Sequence, residues 1–422
     1  MAEADIRGPY PIRWDDWFWV WATWGVSESP SIGPFRSGSN LYICMRDSPY
    51  TLYFTIYKST DSGATWTSVY SFDDFSNYTT ATQKGAEEKL RIVRMGATTC
   101  EIYEFDMADD SMTLIDETWN PGDPNPYYFF PFWSYYNPVT AEDQAYYLVD
   151  NGGIRELWVR RYRAAAWQDA QKIRDAIAGN VNWRVGVVAD SNGITHVFAC
   201  AFPTFASTLG YQPILADGSL GTPQASIFSS LAGSLNLGRP CIINDTVALT
   251  INGLGKVVAG TPLSAPVFSS FGVGTGYPVT DLQVCGERAD HLPATDGRLW
   301  WLQIYETGWA RVNKVWSCTY DGTTLGDAQL IHDEDAYQSY PAIDPADQWL
   351  NYITPPVLLA SGRWGFTTLM EVPALEGGGV EEGTVYWEWQ QAVAASSRGW
   401  AVIGRGIAGV KLSGAGGYGH CG

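Results

Sequence analysis

A strand, a tight turn and a second strand recur along this chain at a near-constant interval, and few folds accept that pattern. Anchors at 66, 114, 167, 220, 263 and 325 stand 48, 53, 53, 43 and 62 residues apart, about 52 on average. Self-similarity at such a period marks propeller blades or solenoid turns. The clearest internal match sets Trp167-Gln168-Asp169-Ala170-Gln171-Lys172-Ile173 beside Leu325-Gly326-Asp327-Ala328-Gln329-Leu330-Ile331, with Leu220 to Ala225 a weaker copy. Upstream of these anchors, Val185 to Phe198, Ala145 to Ile154 and Ala248 to Gly253 each join strand-like runs through Asp/Asn-rich, Gly-containing turns. That is hairpin grammar. Two hairpins per period give four short antiparallel strands, the content of one propeller blade.

One turn carries its chemistry in full: Ser59-Thr60-Asp61-Ser62-Gly63-Ala64-Thr65-Trp66. Asp61 can accept nearby backbone N–H groups, Gly63 supplies positive φ, and Trp66 is placed to pack beside the turn. Ser59, Asp61, Gly63 and Trp66 match the S-x-D-x-G-x-x-W box, and the chain resembles the sialidase-like (Asp-box) β-propellers on that motif. The resemblance implies an all-β propeller of four-stranded antiparallel blades in which the box is structural and lies away from any active site. Seven blades are expected, near 14–72, 86–118, 140–176, 181–230, 238–271, 279–335 and 338–391, and six would also fit. The aromatic run Trp14 to Trp24 reads as a first strand that pairs with Tyr386-Trp387-Glu388-Trp389 and closes the ring. Ala164 to Ala178 has helical spacing, but the repeat register makes it an outer strand and a loop. The organisation expected is an arm over 1–13, a propeller over 14–391 and a Gly-rich tail over 392–422.

Composition narrows the function. A net charge of −19 argues against phosphate-mediated nucleic-acid binding and against anionic membrane surfaces. No apolar run reaches membrane-spanning length, so no membrane insertion is expected. The acidic start Met1-Ala2-Glu3-Ala4-Asp5 lacks a basic, then apolar leader, which reads as synthesis in the cytoplasm without a signal peptide. Seven cysteines at irregular spacing read as reduced and mostly buried thiols. The four histidines form no zinc spacing, and neither a metal nor a cofactor is expected.

Two constellations compete as carriers of function. The sialidase resemblance implies an Arg cluster, a Tyr nucleophile with Glu, and an Asp acid/base. Phe35-Arg36 keeps two positions of the first Arg motif, while Arg184, Arg239, Arg288 and Arg363 lack a matching context. Asp109-Asp110, Asp116-Glu117 and Asp333-Glu334-Asp335 read as solvated loop carboxylates, or as an acid and base if they face the axis. The stronger binding candidate is the ring-dense stretch Tyr127, Tyr128, Phe129, Phe130, Phe132, Trp133, Tyr135 and Tyr136, read either as inter-blade packing or as a recognition surface. Residues 404–422 read as a flexible end or as a segment ordered against other subunits. The function expected is a non-enzymatic interaction module with a glycan or protein ligand, such as a phage-type virion component acting on the particle or outside the cell. The alternative is a glycoside-processing enzyme that uses funnel carboxylates with Arg36 as substrate anchor.

Overall fold

In a computed structural model the chain forms seven antiparallel sheets arranged as the blades of a β-propeller. The residues described run from 5 to 390, apart from 16–30, 47–52, 74–78, 85–86, 96–98, 120–132, 152–153, 175–181, 203–206, 231–235, 238–239, 253–255, 273–280, 286–297, 308–309, 323, 325, 327–328, 334–348, 354–356, 360 and 374–379. Blade 1 holds β2 (Ser31–Ser37), β3 (Asn40–Arg46), β4 (Tyr53–Ser59) and β5 (Thr67–Asp73). Blade 2 holds β6 (Thr79–Gln83), β7 (Lys89–Met95), β8 (Cys100–Asp106) and β9 (Ser111–Trp119). Blade 3 runs through β10 (Trp133–Asn137), β11 (Glu142–Asn151), β12 (Ile154–Arg163), β13 (Ala166–Trp167) and β14 (Gln171–Arg174). Blade 4 is β15 (Asn182–Ala189), β16 (Thr195–Phe202), β17 (Ser207–Ile214) and β18 (Gln224–Ser230). Blade 5 comprises β19 (Asn236–Leu237), β20 (Cys241–Ile243), β21 (Thr246–Asn252), β22 (Lys256–Thr261) and β23 (Val267–Gly272). Blade 6 is β24 (Asp281–Cys285), β25 (Arg298–Thr307), β26 (Ala310–Thr319) and β27 (Gln329–Asp333). Blade 7 combines β28 (Trp349–Ile353), β29 (Val357–Leu358), β30 (Trp364–Pro373) and β31 (Val380–Gln390) with β1 (Asp5–Asp15) as its outermost strand.

Each blade touches the next, and blade 7 touches blade 1, so the ring is closed. Connections from first to second and from third to fourth strands all turn at one end of the ring, which we call the hairpin face. Between blades the core is apolar: Phe35, Tyr42, Phe54, Leu90, Ile92 and Phe105 join blades 1 and 2. Val188, Phe198, Tyr211, Leu249 and Val258 do the same for blades 4 and 5. Cys44, Cys100, Cys200, Cys241 and Cys318 are buried. They act as small apolar fillers.

Closure uses the C-terminal strand expected from the sequence, Tyr386 to Trp389, but a different partner. Asp5 pairs with Gln390, Tyr10 with Tyr386 and Trp14 with Gly383. The expected arm is therefore a strand from Asp5 onward. Trp14 belongs to it, while Trp17, Phe18, Trp19, Trp21 and Trp24 lie outside the described residues. Pro9 and Pro11 hide this strand from a periodicity reading. They are accommodated because β1 is an edge strand, with register shifts between Arg7 and Tyr10 and between Pro11 and Arg13. The inner strand of blade 1 is Ser31–Ser37, where Gly33 and Pro34 disguise it in the same way. The inner strands of blades 2 and 3, Thr79–Gln83 and Trp133–Asn137, fall before the blade starts read from sequence. The helical spacing of Ala164 to Ala178 gives way to β13 and β14, as the repeat register required.

The octet at 59–66 forms the β4–β5 turn on the hairpin face. Ser59 Oγ bonds Asp61 Oδ1 at 2.8 Å and accepts the Gly63 N–H at 2.8 Å. Asp61 accepts the Thr65 N–H at 2.9 Å and its hydroxyl at 2.6 Å, and these bonds hold the carboxyl below its usual range. Trp66 Nε1 donates to Gly63 O at 2.9 Å, and its ring meets Tyr386 of blade 7 edge-on at 5.5 Å. Tyr386 is wholly buried, among Ile12, Leu41, Ile43, Val357 and Leu359. Burying a side chain of that size contributes roughly 1.5–3 kcal/mol. The box thus braces blade 1 against the blade that closes the ring.

Gly63 is the point where this brace is tightest. Its φ is +88°, and a Cβ there would stand 2.1 Å from Tyr386 Cε1. Gly63→Ala is expected to cost about 2–5 kcal/mol, from left-handed backbone plus overpacking. Gly38→Ala, at φ +56° with open space around it, should cost only about 1–2 kcal/mol. Urea unfolding midpoints of the two variants check this, and equal shifts would remove Tyr386 from the explanation.

Candidate functional site

Arg36 is the next-to-last residue of β2, the inner strand of blade 1. Its Nη1 donates to Leu358 O of blade 7 at 3.1 Å, and its own carbonyl accepts Gln83 Nε2 of blade 2 at 3.4 Å. One residue therefore ties three consecutive blades. Arg363, weighed with it in the sequence, is buried and bonds Glu388 Oε2 at 2.8 Å and Gln390 Oε1 at 3.2 Å within blade 7. Arg288 and the side chains of Arg184 and Arg239 lie outside the described residues.

The aromatic stretch divides. Tyr127, Tyr128, Phe129, Phe130 and Phe132 lie outside the described residues, whereas Trp133, Tyr135 and Tyr136 belong to β10. Tyr135 is buried, and its hydroxyl accepts the Ala189 N–H of blade 4 at 2.9 Å. Tyr136 is buried beneath the Arg91 guanidinium of blade 2, 5.3 Å from the ring centroid. Trp133 packs partly buried against the core shared by blades 3 and 4. These three rings join blades.

A buried polar layer, not foreseen from sequence, runs from blade 2 to blade 4. Arg91 Nε stands 3.2 Å from Asp143 Oδ1 across the blade 2–3 joint, and Arg91 Nη1 stands 3.6 Å from Glu104. Lys89 and Lys84 complete the Glu104 cluster at 2.7 and 3.3 Å. Burial raises the Asp143 carboxyl to about 7, against the pull of Arg91 and Lys84. Next to it, Glu142 takes the Arg161 guanidinium at 3.1 Å. Gln144 bonds both Glu142, at 2.9 Å, and Thr195 of blade 4, at 3.0 Å. Thr195 also meets Asn137 Nδ2 at 2.9 Å. The next residue, His196, is fully buried with Nδ1 2.8 Å from the Tyr211 hydroxyl and Nε2 3.5 Å from Asp190. The sequence signal for this layer was the acidic pair Glu142-Asp143 followed by Gln144 at the head of an otherwise apolar strand.

The paired carboxylates that the enzyme reading required serve turns and joints where they are described. Asp110 takes Lys58 Nζ at 2.7 Å and the Tyr42 hydroxyl at 2.8 Å. Asp116 accepts Trp167 Nε1 of blade 3 at 2.7 Å. The Asp333–Asp335 side chains lie outside the described residues. Among the described residues no three His, Cys, Asp or Glu side chains gather to hold a metal ion. What this arrangement can do chemically is fix blades to one another with charge-assisted bonds in a low-dielectric joint.

No known family model matches the sequence, and no curated protein sequence does. The fold has solved counterparts. The chain superposes on a polysaccharide lyase of family PL25, an ulvan lyase bound to -[GlcA(1-4)Rha3S]-, with a TM-score of 0.52 at 8% identity, over 91% of this chain and 94% of that one. For a prolyl endopeptidase the TM-score is 0.47 at 8% identity over 85% of this chain, which spans 50% of that chain's length. For the Penicillium chrysogenum alpha-L-arabinanase complexed with arabinobiose it is 0.40 at 12% identity, over 82% and 89%. These counterparts are propellers of varied function rather than sialidases in particular. At such identities the likeness is one of fold.

Asp143 gives the joint a pH signature. Its folded value, about 7, exceeds the usual unfolded value near 3.9, so the native state holds the extra proton between those limits. Its contribution is therefore greatest below pH 4 and is lost as pH rises through 7. Asp143→Asn mimics the protonated form, so the difference in melting temperature between variant and wild type should move in the variant's favour from pH 5 to pH 8. A difference that stays constant over that range would contradict the assignment.

Proposed function

We propose that this chain is a non-enzymatic interaction module of the Asp-box propeller class, a rigid ring displayed on a larger assembly such as a virus particle. It holds a glycan or protein ligand through the aromatic segment that enters blade 3. The supporting observation is the use made of Arg36. The residue best placed by sequence to anchor a substrate carboxylate instead bonds Leu358 O and, through its carbonyl, Gln83. The competing reading, glycoside processing, requires that guanidinium to leave its neighbour blade. The box geometry supports placement among Asp-box propellers, because the Ser59, Asp61 and Trp66 side chains and the Gly63 backbone all bond within the turn.

The ligand-binding residues assigned are Tyr127, Tyr128, Phe129, Phe130 and Phe132, which precede Trp133 in sequence. Tyr135 and Tyr136 are committed to blade joints. Rings followed directly by a locked inner strand suit stacking on sugar or docking of a protein.

Glycan-array binding of the intact chain, followed by titration of the best ligand, tests this. Tyr127→Ala with Phe129→Ala should weaken binding about tenfold or more, the loss of one good anchor, with the melting temperature unchanged. Arg36→Ala should lower the melting temperature and leave affinity alone. Turnover of an oligosaccharide that Arg36→Ala abolishes in a still-folded protein would favour the enzyme instead.

A further inference from the structure

A sheet edge that faces solvent is a template for pairing with another chain, and proteins blunt it with bulges, charges or covering groups. Among the described residues, six of the seven outer edges of this ring are blunted. The outer strands β5, β9, β14, β18, β27 and β1 each break register with the strand beside them. All of these but β18 include charged residues. β18 is covered instead, by the Arg174 guanidinium of blade 3, whose Nη2 donates to Ala225 O at 2.6 Å.

The outer strand of blade 5, β23, has none of these devices. It reads Val-Phe-Ser-Ser-Phe-Gly, pairs with β22 without a break from Lys256–Gly272 to Thr261–Val267, and ends its sheet. Pro266 precedes the strand and takes no N–H from it. Val267, Ser269 and Ser270 are exposed, and Val267, at 75%, is the most exposed large apolar side chain among the described residues. Phe268 and Phe271 are partly buried, on the core shared with blade 4 and on the core that includes Tyr320 of blade 6. We propose that β23 pairs antiparallel with β23 of a second copy of this chain, about a two-fold axis at Ser269.

Register and charge select a second copy as the occupant. In an antiparallel ladder two opposite residues exchange both hydrogen bonds or neither, so a strand that meets its own copy is centred on a residue. Centring on Ser269 sets Val267 opposite the copy's Phe271, twice by symmetry, with Phe268 opposite Ser270 and the two Ser269 hydroxyls face to face. Aromatic–β-branched and Ser–Ser pairs are favourable cross-strand neighbours. The chain carries a net charge of −19, so two copies repel wherever acidic surfaces meet, whereas β23 brings no charged side chain to the axis. The two ends of the edge are complementary. Lys256 Nζ lies 3.5 Å from where a Cβ on Gly272 would stand. At the Val267 end, exposed Asp245 accepts the Thr261 hydroxyl through its carbonyl at 2.9 Å. A two-fold axis turns the Lys256 end of one copy toward the Asp245 end of the other, the isologous contact of a closed dimer. The inference is independent of what the aromatic segment binds.

Light scattering of the full-length chain during size exclusion tests it, at concentrations up to about 100 μM and in about 0.15 M salt, where repulsion between the copies is screened. The mass should rise from one chain to two. Ser269→Lys and Ser269→Glu each set like charges opposite one another on the axis, and each should weaken association about tenfold or more with the melting temperature unchanged. An equimolar mixture of the two variants should restore the dimer. Ser269→Cys should link between chains on mild oxidation. Ser270→Cys, two residues out of step with its own copy and beyond disulfide reach, should link no more than wild type. A chain that stays monomeric at that concentration, a dimer that Ser269→Lys leaves intact, or Ser270→Cys linking as readily as Ser269→Cys would each overturn the proposal.

Discussion

A propeller must join its last blade to its first, and here one strand pair does so. β1 arrives from the start of the sequence and β31 from near its end, and their antiparallel register from Asp5–Gln390 to Asp15–Glu382 completes the seventh sheet. Without it β31 would be an exposed edge of eleven residues, a template for pairing with other chains. The joint is reinforced from both sides. The Asp-box of blade 1 wedges Trp66 and Gly63 against Tyr386, while Arg363 holds Glu388 and Gln390 within the blade. Local turn chemistry at residues 59–66 and long-range closure therefore meet at one tyrosine.

Elsewhere the ring is held by a similar economy. Apolar side chains fill the space between blades, and the polar groups buried with them work across joints. Arg36 spans blades 7, 1 and 2; Arg91 with Asp143 spans 2 and 3; Gln144 with Thr195 spans 3 and 4. Breaking such a pair leaves a buried group unsatisfied, which costs more than the pair contributes. This is why a residue that looks like a substrate anchor in sequence can be structural in the fold.

The repeat made most of this legible. Hairpins such as Val185 to Phe198 and the box at 59–66 announce themselves because alternating apolar residues and Asp/Gly turns are local properties. Of the strands that escaped notice, Asp5–Asp15, Ser31–Ser37 and Trp133–Asn137 contain proline or follow proline-rich sequence, while Thr79–Gln83 is short and lacks large apolar residues. Periodicity counts proline against a strand, but the outer edge of a blade and an irregular inner strand both tolerate it. The polar layer was illegible for another reason. Whether Asp143 meets solvent or Arg91 depends on a partner 52 residues away, and no local pattern encodes that pairing. The aromatic stretch was ambiguous between packing and recognition, and in its described part Tyr135 and Tyr136 face blade joints.

Closure by the first strand is the claim from which the rest follows, and a pair of cysteines reads it directly. Asp5→Cys with Gln390→Cys places two thiols at partnered positions, where antiparallel Cα atoms stand about 4.5–5.5 Å apart, within disulfide reach. Mild oxidation of the native monomer should form the bond within one chain in near-quantitative yield. Thiols that remain free, or that link only between chains, would contradict closure of the ring by its own first strand.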